Sequence, residues 1–331
     1  MKNILFIANA QLGEPPTGGG VQTKNRFLID YLESQPDIKI KVVDTWGRNK
    51  LISLVLSVIN ILISSKKTEV VFSITRRGVI SIVFIITLLR IRRKMLFIVP
   101  GSDLRTNMSR LELSLLARFD KVLVQGECLR KIGIKEGLEN CEVLYNFKKI
   151  NYRPARKKRG GNFLRFCYLG RLRKDKGVDL IIDAITAIGD SRIVVDFYGR
   201  EEEYTKNYFE KFSNLGVNYK GFLDLSNNEG YDILSQYDAM LFPTYFEGEG
   251  FPGVILDAFI SGVPVIASNF HMNSEIITDN YNGLIVQTKE VEALIKAINK
   301  LRDCEFLDDL SYGAFISASM YSSDIVLRNV F

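Results

Sequence analysis

The segment from Phe242 to Ser268 contains the residues that are best suited to chemistry. Its sequence, FPTYFEGEGFPGVILDAFISGVPVIAS, predicts the end of a strand, a glycine-rich loop, a helix that begins near Gly253 and a turn into the next strand. Free N–H groups at a helix N-terminus bind anions, and the helix dipole favours negative charge there. The loop therefore predicts a site for a phosphate or a pyrophosphate.

Two acidic residues belong to the same segment. Glu249 lies just before the predicted helix, and Asp257 follows eight residues later. Because this spacing is about two helical turns, both side chains can face one ligand if the helix points at it. They are the candidate acids of the site.

A second segment, GRLRKDKG at residues 170–177, follows the first predicted strand of the C-terminal half. Arg171 offers a planar fork of donors, and Lys176 offers a compact positive charge. This combination is suited to two phosphate groups, whereas a pair of surface cations is the alternative. Arg173 and Lys174 are expected to be solvated.

Short apolar runs alternate with longer amphipathic segments, which is typical of parallel sheets with crossover helices. We predict an α/β protein of two Rossmann-like, doubly wound domains, residues 1–150 and 151–331, with a charged linker at 152–161 and a last helix that crosses back to the first domain. Such sheets bind ligands beyond the carboxyl ends of their strands, so the expected site is a cleft between facing domains. The predicted strands lie near residues 4–8, 38–43, 70–73, 95–99, 121–124, 142–144, 163–169, 192–198, 217–219, 239–242, 265–267 and 284–286.

The composition excludes several classes of protein. A chain of 331 residues, 47% hydrophobic and 25% charged, can build two cores and is unlike a disordered or collagenous protein. Its four cysteines are widely spaced and it has one histidine, so we expect no zinc site, no disulfide framework and a reducing, cytoplasmic location. Secretion is not expected. The longest apolar stretches, 51–63 and 79–89, are shorter than the roughly 20 residues of a membrane span.

The two halves differ in charge. Residues 1–150 contain 24 Lys and Arg and 13 Asp and Glu, a net charge of +11, whereas residues 151–331 have a net charge of −5. The basic residues cluster at 66–67, 76–77 and 90–94 beside apolar segments, which indicates either a surface for anionic lipid headgroups or the solvated ends of buried helices. Nucleic-acid binding is not expected, because no binding motif accompanies the charge.

Several segments, taken in their order along the chain, resemble the retaining glycosyltransferases of family 4. They are the glycine loop at Gly18, Gly19 and Gly20, the sequence VLYN at 143–146, the G-R-L…K-G segment at 170–177 and the stretch from 242 to 268. The family hallmark is a Glu, seven residues and a second Glu, within a P-S/T…E-G-F-G…G-x-P-V-I-A-S context. The resemblance covers nearly the whole chain. It implies the GT-B fold, with an acceptor-binding first domain and a donor-binding second domain.

The resemblance also implies roles for single residues. Arg171 and Lys176 match the pair that neutralises the donor diphosphate. Glu249 matches the acid that binds a hydroxyl of the donor sugar and stabilises positive charge developing on it. Asp257 matches the acid that holds the nucleotide ribose, with a side chain one methylene shorter than Glu. Further donor-binding residues implied by the match, some through backbone N–H groups, are Gly199, Gly250, Phe251, Gly253 and Val254.

The chain departs from the family pattern at identifiable positions. Pro252 stands where the family commonly has Gly, and because proline lacks an N–H, the phosphate cradle must use neighbouring residues. The N-terminal half has no histidine, and the only one, His271, is expected to be a plain surface or cleft side chain. The acceptor side of the cleft is then expected to consist of Asp103 and the glycine loop at Gly18, Gly19 and Gly20.

The chain contains no Asp-x-Asp sequence, which predicts a reaction without a metal ion or another cofactor. We expect a sugar to move from a nucleoside diphosphate sugar to a glycan or lipid-linked acceptor, with retention of anomeric configuration by front-face displacement. The expected setting is bacterial surface polysaccharide assembly at the inner face of the cell membrane. The alternatives are a non-catalytic glycosyltransferase-like subunit and a nucleotide-sugar epimerase or hydrolase, the latter disfavoured by the single histidine.

Overall fold

A computed structural model of the protein describes residues 1–13, 20–104, 108–155, 163–328, 330 and 331. The chain forms two compact units, Met1–Phe147 with Val326–Phe331, and Lys148–Ile325. The end of the chain thus belongs to the N-terminal unit. The division between the units lies three residues before the boundary that the sequence predicts.

The N-terminal unit is a parallel α/β sheet with crossover helices. Its strands are β1 (Lys2–Ala8), β2 (Ile38–Asp44), β3 (Glu69–Ser73), β4 (Met95–Ile98), β5 (Lys121–Val124) and β6 (Cys141–Val143). Its helices are α1 (Gly20–Ser34), α2 (Lys50–Ile63), α3 (Arg76–Leu88), α4 (Arg110–Leu116) and α5 (Glu127–Lys135). The strand order is β2-β1-β3-β4-β5-β6.

The C-terminal unit has the same architecture. Its strands are β7 (Leu164–Leu169), β8 (Ile193–Tyr198), β9 (Val217–Tyr219), β10 (Ala239–Phe242), β11 (Val265–Ser268) and β12 (Gly283–Val286). Its helices are α6 (Val178–Ile188), α7 (Lys206–Glu210), α8 (Asn228–Leu234), α9 (Gly253–Ile260), α10 (Asn273–Ile276), α11 (Val291–Lys300) and α12 (Cys304–Ala318), and α13 (Ser323–Val326) leads back to the first unit. The strand order is β12-β11-β10-β7-β8-β9.

Burial explains why these segments form strands. Every residue of β3, β4 and β10 is buried, as expected of central parallel strands that are covered on both faces. The edge strand β2 instead alternates between half-buried and exposed positions from Ile38 to Val42. All twelve predicted strands are present, and the prediction of two doubly wound α/β sheets is confirmed.

The chain terminus completes the core of the N-terminal unit. Leu327 is fully buried in a cluster with Leu28 and Leu32 of α1. Lys2 at the start of β1 donates from Nζ to the carbonyl oxygen of Phe331 at 3.2 Å. Among the helices of the described residues, none combines the length and the apolar character needed to cross a membrane.

Candidate functional site

The strand order of the C-terminal unit places the predicted site at a topological switch point. From β7 the chain continues outward to β8 and β9, and it then returns to β10 on the opposite side of β7. Ligands of doubly wound sheets bind at the carboxyl ends of such neighbouring strands. The loop after β7 (residues 170–177) and the loop after β10 (residues 243–252) therefore share this position. They are joined by a hydrogen bond from the N–H of Tyr245 to the carbonyl oxygen of Asp175, at 2.8 Å.

Lys176 and Glu249 meet between these two loops. Nζ of Lys176 forms a hydrogen-bonded ion pair with Oε2 of Glu249, and the lysine is buried. Thr244 donates from Oγ1 to the same carboxylate oxygen at 3.1 Å. Because a largely desolvated ion pair contributes little net stability, the arrangement is better explained by a need for charge at this point than by folding.

Three basic side chains of the site contact one aromatic ring. The ring centroid of Phe246 lies 4.6 Å from Nζ of Lys176, 5.2 Å from the guanidinium carbon of Arg173 and 5.4 Å from that of Arg171. These distances fall within the range of cation–π attraction. The neighbouring Gly248 leaves space for the ring, since a Cβ at this position would lie 2.5 Å from it. We call Phe246 with Arg171, Arg173 and Lys176 the cation cluster.

The arginines of the cation cluster also face acids. Arg173 makes two hydrogen bonds to the carboxylate of Asp175, at 3.0 and 2.5 Å. Arg173 is thus half-buried and ion-paired, whereas Lys174 is exposed, as expected. Nη1 of Arg171 lies 3.7 Å from Glu202, and the arginine side chain is 45% exposed. Arg171 is thus the cluster member that solvent, and hence a ligand, reaches most easily.

Close backbone contacts fix the loop after β7. Gly177 has φ +81°, and a Cβ there would lie 2.4 Å from the carbonyl oxygen of Pro243. Gly199 follows β8 and lies so close to the loop after β7 that a Cβ at this position would lie 1.7 Å from the carbonyl oxygen of Gly170. The hydroxyl of Tyr168 donates to the carbonyl oxygen of Arg171 at 2.7 Å, and burial raises the pKa of Tyr168 well above its ordinary value. The tyrosine therefore remains a proton donor across the physiological pH range.

Helix α9 begins where the sequence predicts. Pro252 occupies the position before its first turn. Gly253 and Val254 belong to that turn, and the N–H groups of a first turn have no acceptor within the helix. Both residues are half-buried. Phe251 is buried and packs edge-on against Tyr321 with the ring centroids 5.4 Å apart. Phe251 thus anchors the loop beside the helix N-terminus.

Asp257 has different surroundings from those of Glu249. It is buried on α9, where its carboxylate forms an ion pair with Nζ of Lys148 at 2.9 Å. It also accepts a hydrogen bond from the hydroxyl of Tyr231 at 2.8 Å. Burial, followed by the charge of Asp257, raises the pKa of Tyr231 far above its ordinary value. Lys148 and Tyr231 therefore already satisfy this carboxylate.

Residues 151–314 match the family model of glycosyl transferases group 1. The chain belongs to this family.

Relatives and solved structures agree with this membership. A 41.2 kDa protein in the cps region of Klebsiella pneumoniae is 27% identical over 162 residues, which are 49% of this chain and 42% of that protein. The N,N'-diacetylbacillosaminyl-diphospho-undecaprenol alpha-1,3-N-acetylgalactosaminyltransferase of Campylobacter jejuni is 28% identical over 167 residues, 47% of this chain and 43% of the enzyme. The matched segments thus span less than half the length of these relatives.

The fold match extends over both units. The crystal structure of Alr3699/HepE from Anabaena in complex with UDP has a TM-score of 0.76, with 17% sequence identity, over 100% of this chain and 98% of that one. The two Rossmann-like units are those of the GT-B fold, as predicted.

The residues that the sequence assigns to the acceptor side belong to the N-terminal unit. Gly18 and Gly19 lie outside the described residues, and Gly20 begins α1. Asp103 accepts a hydrogen bond through Oδ2 from the N–H of Arg76 at the start of α3, at 2.7 Å. This contact gives Asp103 a place in the local structure, and its contact with a sugar stays a prediction.

Two further expectations concern histidine and metal ions. Nε2 of His271 lies 3.7 Å from Glu247, a largely exposed carboxylate, and His271 has φ +47°. Within the ranges that the structure describes, no three His, Cys, Asp or Glu side chains are grouped so that they could hold a metal ion. Independence of metal ions stays a prediction.

Several residues at the site were missed by sequence reasoning. Phe246 and Thr244 lie inside the glycine-rich segment, and an aromatic residue beside three basic ones in a neighbouring loop was the available signal. Lys148 and Tyr231, the partners of Asp257, are 109 and 26 residues away from it. No local pattern in the sequence connects residues so far apart.

Proposed function

We propose that this chain is a retaining hexosyltransferase that uses a nucleoside diphosphate sugar as donor and a glycan or lipid-linked molecule as acceptor. The observation that carries the proposal is the pairing of Lys176 with Glu249 at the switch point of a group 1 domain. Cleavage of the sugar–phosphate bond leaves a diphosphate, which needs positive charge, and an electron-poor sugar carbon, which needs negative charge. The pair supplies a positive and a negative charge at the switch point.

Each residue has a part in this proposed reaction. Lys176, Arg171 and the N–H groups of Gly253 and Val254 stabilise the leaving diphosphate without reorganising during the reaction. Glu249, oriented by Thr244 and Lys176, faces the donor sugar. We propose that this electrostatic arrangement operates without a metal ion and that Asp257 contacts the ribose by exchanging one of its present partners.

The acceptor proposal rests on the relatives. The Campylobacter enzyme is named for a diphospho-undecaprenol acceptor, and the Klebsiella relative lies in a cps region. We therefore propose a role in bacterial surface polysaccharide assembly at the cytoplasmic face of the cell membrane. All four cysteines are free, which is consistent with a reducing compartment.

Transfer is tested by measuring nucleoside diphosphate release from UDP-glucose, UDP-galactose, UDP-GlcNAc, UDP-GalNAc and GDP-mannose. The acceptor probe is GlcNAc-diphosphoundecaprenol. Glu249→Gln is expected to lower kcat at least 100-fold, since removal of one stabilising group from a preorganised site costs about 10²–10³ in rate. The matched control is Lys174→Met, which changes an exposed lysine of the same loop. NMR of the product reports whether the anomeric configuration of the donor is retained.

The contacts that already occupy the carboxylate of Asp257 favour one second candidate. It is a non-catalytic subunit that binds nucleotide sugar. Its buried carboxylate is engaged by Lys148 and Tyr231, so the ribose has a competitor at this position. Such a subunit would bind a nucleoside diphosphate but release none from any donor in the panel. Turnover that is lost in Glu249→Gln would exclude it.

A further inference from the structure

Helix α2 presents an apolar surface to solvent. None of its residues 51–63 is charged, and its inner side is buried through Ser57, Val58 and Ile61. The opposite side carries exposed hydrophobic residues, with Leu51 at 67% and Ile63 at 69% exposure. The full exposed set on α2 is Leu51, Ile52, Val55, Ile59, Leu62 and Ile63.

The neighbouring helix extends this surface. α3 packs against α2 and exposes Phe84 and Leu88, followed by the exposed Leu89. A helix at a protein–water boundary normally turns charged and polar residues outward. Exposed apolar residues concentrated on two helices that pack together indicate contact with a partner. We call the exposed apolar residues of α2, α3 and Leu89 the α2–α3 face.

The surroundings of the α2–α3 face are strongly basic. Residues 45–102 contain ten Lys and Arg but a single acid, Glu69, which is 3% exposed and paired with Lys2 at 2.8 Å and Lys94 at 3.4 Å. No exposed carboxylate therefore interrupts the positive charge of this span. The ten basic residues are Arg48, Lys50, Lys66, Lys67, Arg76, Arg77, Arg90, Arg92, Arg93 and Lys94.

The topology places half of these basic residues at one end of the α2–α3 face. Both α2 and α3 connect parallel strands, so both end at the amino-end edge of the sheet. Nη2 of Arg93 confirms this proximity, because it donates to the carbonyl oxygens of Ile61 and Ser64 at the end of α2, at 3.2 Å each. The exposed basic residues of the two loops that follow the helices, Lys66, Lys67, Arg90, Arg92 and Lys94, therefore border the face.

We propose that the α2–α3 face docks on an anionic lipid bilayer. Its apolar side chains enter the boundary between headgroups and acyl chains, and the bordering lysines and arginines contact lipid phosphates. Charge complementarity selects this occupant, because a bilayer supplies many anionic groups around an apolar interior. The core of a protein–protein interface, by contrast, is depleted of lysine. The inference is independent of the transfer reaction, since no residue of the α2–α3 face belongs to the switch-point site.

Flotation of the full chain with vesicles tests the proposal. The probes are vesicles of phosphatidylcholine alone and of phosphatidylcholine with 30% phosphatidylglycerol, at about 0.1 M salt. Wild type is expected to float with the anionic vesicles at least tenfold more strongly than with the neutral ones. The triple variant Ile52→Gln/Ile59→Gln/Leu62→Gln is expected to lose at least tenfold in binding. Glutamine maintains helix propensity.

Matched variants distinguish binding through the α2–α3 face from nonspecific hydrophobic adsorption to vesicles. Tyr312→Gln/Ile316→Gln/Met320→Gln removes three exposed apolar residues from the other unit and is expected to bind as wild type does. The charge variant Lys66→Gln/Lys67→Gln/Arg92→Gln leaves the helix packing untouched and is expected to bind about 100-fold less tightly, since each basic residue near such a surface contributes about a fivefold factor.

Three outcomes would overturn the proposal. Wild type that does not float with anionic vesicles contradicts it, and so does a charge variant that floats as wild type does. Sedimentation equilibrium provides the third. If wild type is a dimer that the Ile52/Ile59/Leu62 variant converts to a monomer while vesicle binding is unchanged, the face pairs with a second copy of the chain.

Discussion

Lys24 is a buried lysine of the N-terminal unit. It is 5% exposed on α1, its Nζ has no hydrogen-bond partner among the described residues, and the ring of Phe147 lies 5.9 Å away. Burial lowers its pKa from 10.5 to about 7. Between these two values the unfolded chain binds a proton that the folded chain releases, so this residue makes the free energy of unfolding rise with pH from about 7 to 10.

Lys24→Met is therefore expected to stabilise the protein at pH 7 by as much as about 4 kcal/mol. The gain should shrink as the pH is raised toward 10, because wild type then recovers the stability it lacks at pH 7. Urea unfolding at several pH values measures both effects, with the exposed Lys131→Met on α5 as control. If the curves of wild type and Lys24→Met run parallel, the lysine is not buried in its neutral form.

Phe246 is expected to matter for nucleotide binding through the cation cluster. Phe246→Leu removes the ring that faces Lys176, Arg173 and Arg171. Since a cation–π contact contributes about 0.5–2 kcal/mol, affinity for the preferred nucleoside diphosphate should fall about 2- to 30-fold. Phe246→Tyr retains the ring and should bind as wild type does. Isothermal titration measures the affinities. The exposed Phe222→Leu controls for the loss of an aromatic ring, and equal affinity in Phe246→Leu and wild type would refute the role.

At the residue scale, the sequence predicted the loops that carry the candidate side chains better than it predicted the contacts of those side chains. Lys176 and Glu249 lie 73 residues apart. Both were identified as candidates because each lies in a loop with its own sequence motif. The engagement of Asp257 by Lys148 could not be predicted, because the lysine comes from a segment with no motif, 109 residues away. Local patterns identify loops, whereas the packing of distant segments determines contacts.

Among the elements, α6 allows a clean test of backbone contact. Glycines flank it on both sides in left-handed conformations, Gly177 with φ +81° and Gly189 with φ +60°. A Cβ on Gly177 would meet the carbonyl oxygen of Pro243 at 2.4 Å, whereas the nearest atom to a Cβ on Gly189 is 3.8 Å away. Both glycines thus have a left-handed backbone, but only Gly177 lies in close contact with another segment of the chain.

Gly189→Ala is expected to cost about 1–2 kcal/mol of stability, the usual penalty for a left-handed alanine. Gly177→Ala should cost about 3 kcal/mol or more, because steric overlap with Pro243 adds to that penalty. Chemical denaturation of both variants gives the comparison. Equal losses would mean that the loop after β7 adjusts freely and does not hold Lys176 in place.

The elements themselves were the most predictable level of structure. The strands are short apolar runs bounded by polar turns, and parallel strands that are buried on both faces must be of this kind. The α2–α3 face was less predictable. The same apolar run at 51–63 fits a fully buried helix, and only the fold reveals that one side of α2 remains exposed.

For the molecule as a whole, the chain terminus is expected to hold the N-terminal unit together. Leu327→Ala opens a cavity in its core and should cost about 2–5 kcal/mol. Trp46, the single tryptophan of the chain, lies in this unit, so its fluorescence reports the unfolding of that unit. The exposed Ile325→Ala is the matched control. A tryptophan transition that is the same in Leu327→Ala and wild type would show that the terminus is dispensable.

The central claim is that the switch point of the C-terminal unit binds a nucleoside diphosphate. The most direct test is thermal unfolding of wild type, Lys176→Met and Arg171→Ala with UDP, GDP, ADP, CMP and dTDP, with Lys174→Met as control. At 100 times its dissociation constant a ligand stabilises by about 2.7 kcal/mol, or roughly 5–10 °C at about 2–4 °C per kcal/mol. We predict such a shift with one diphosphate, in wild type and Lys174→Met only. No shift with any nucleotide, or an undiminished shift in Lys176→Met, would contradict the claim.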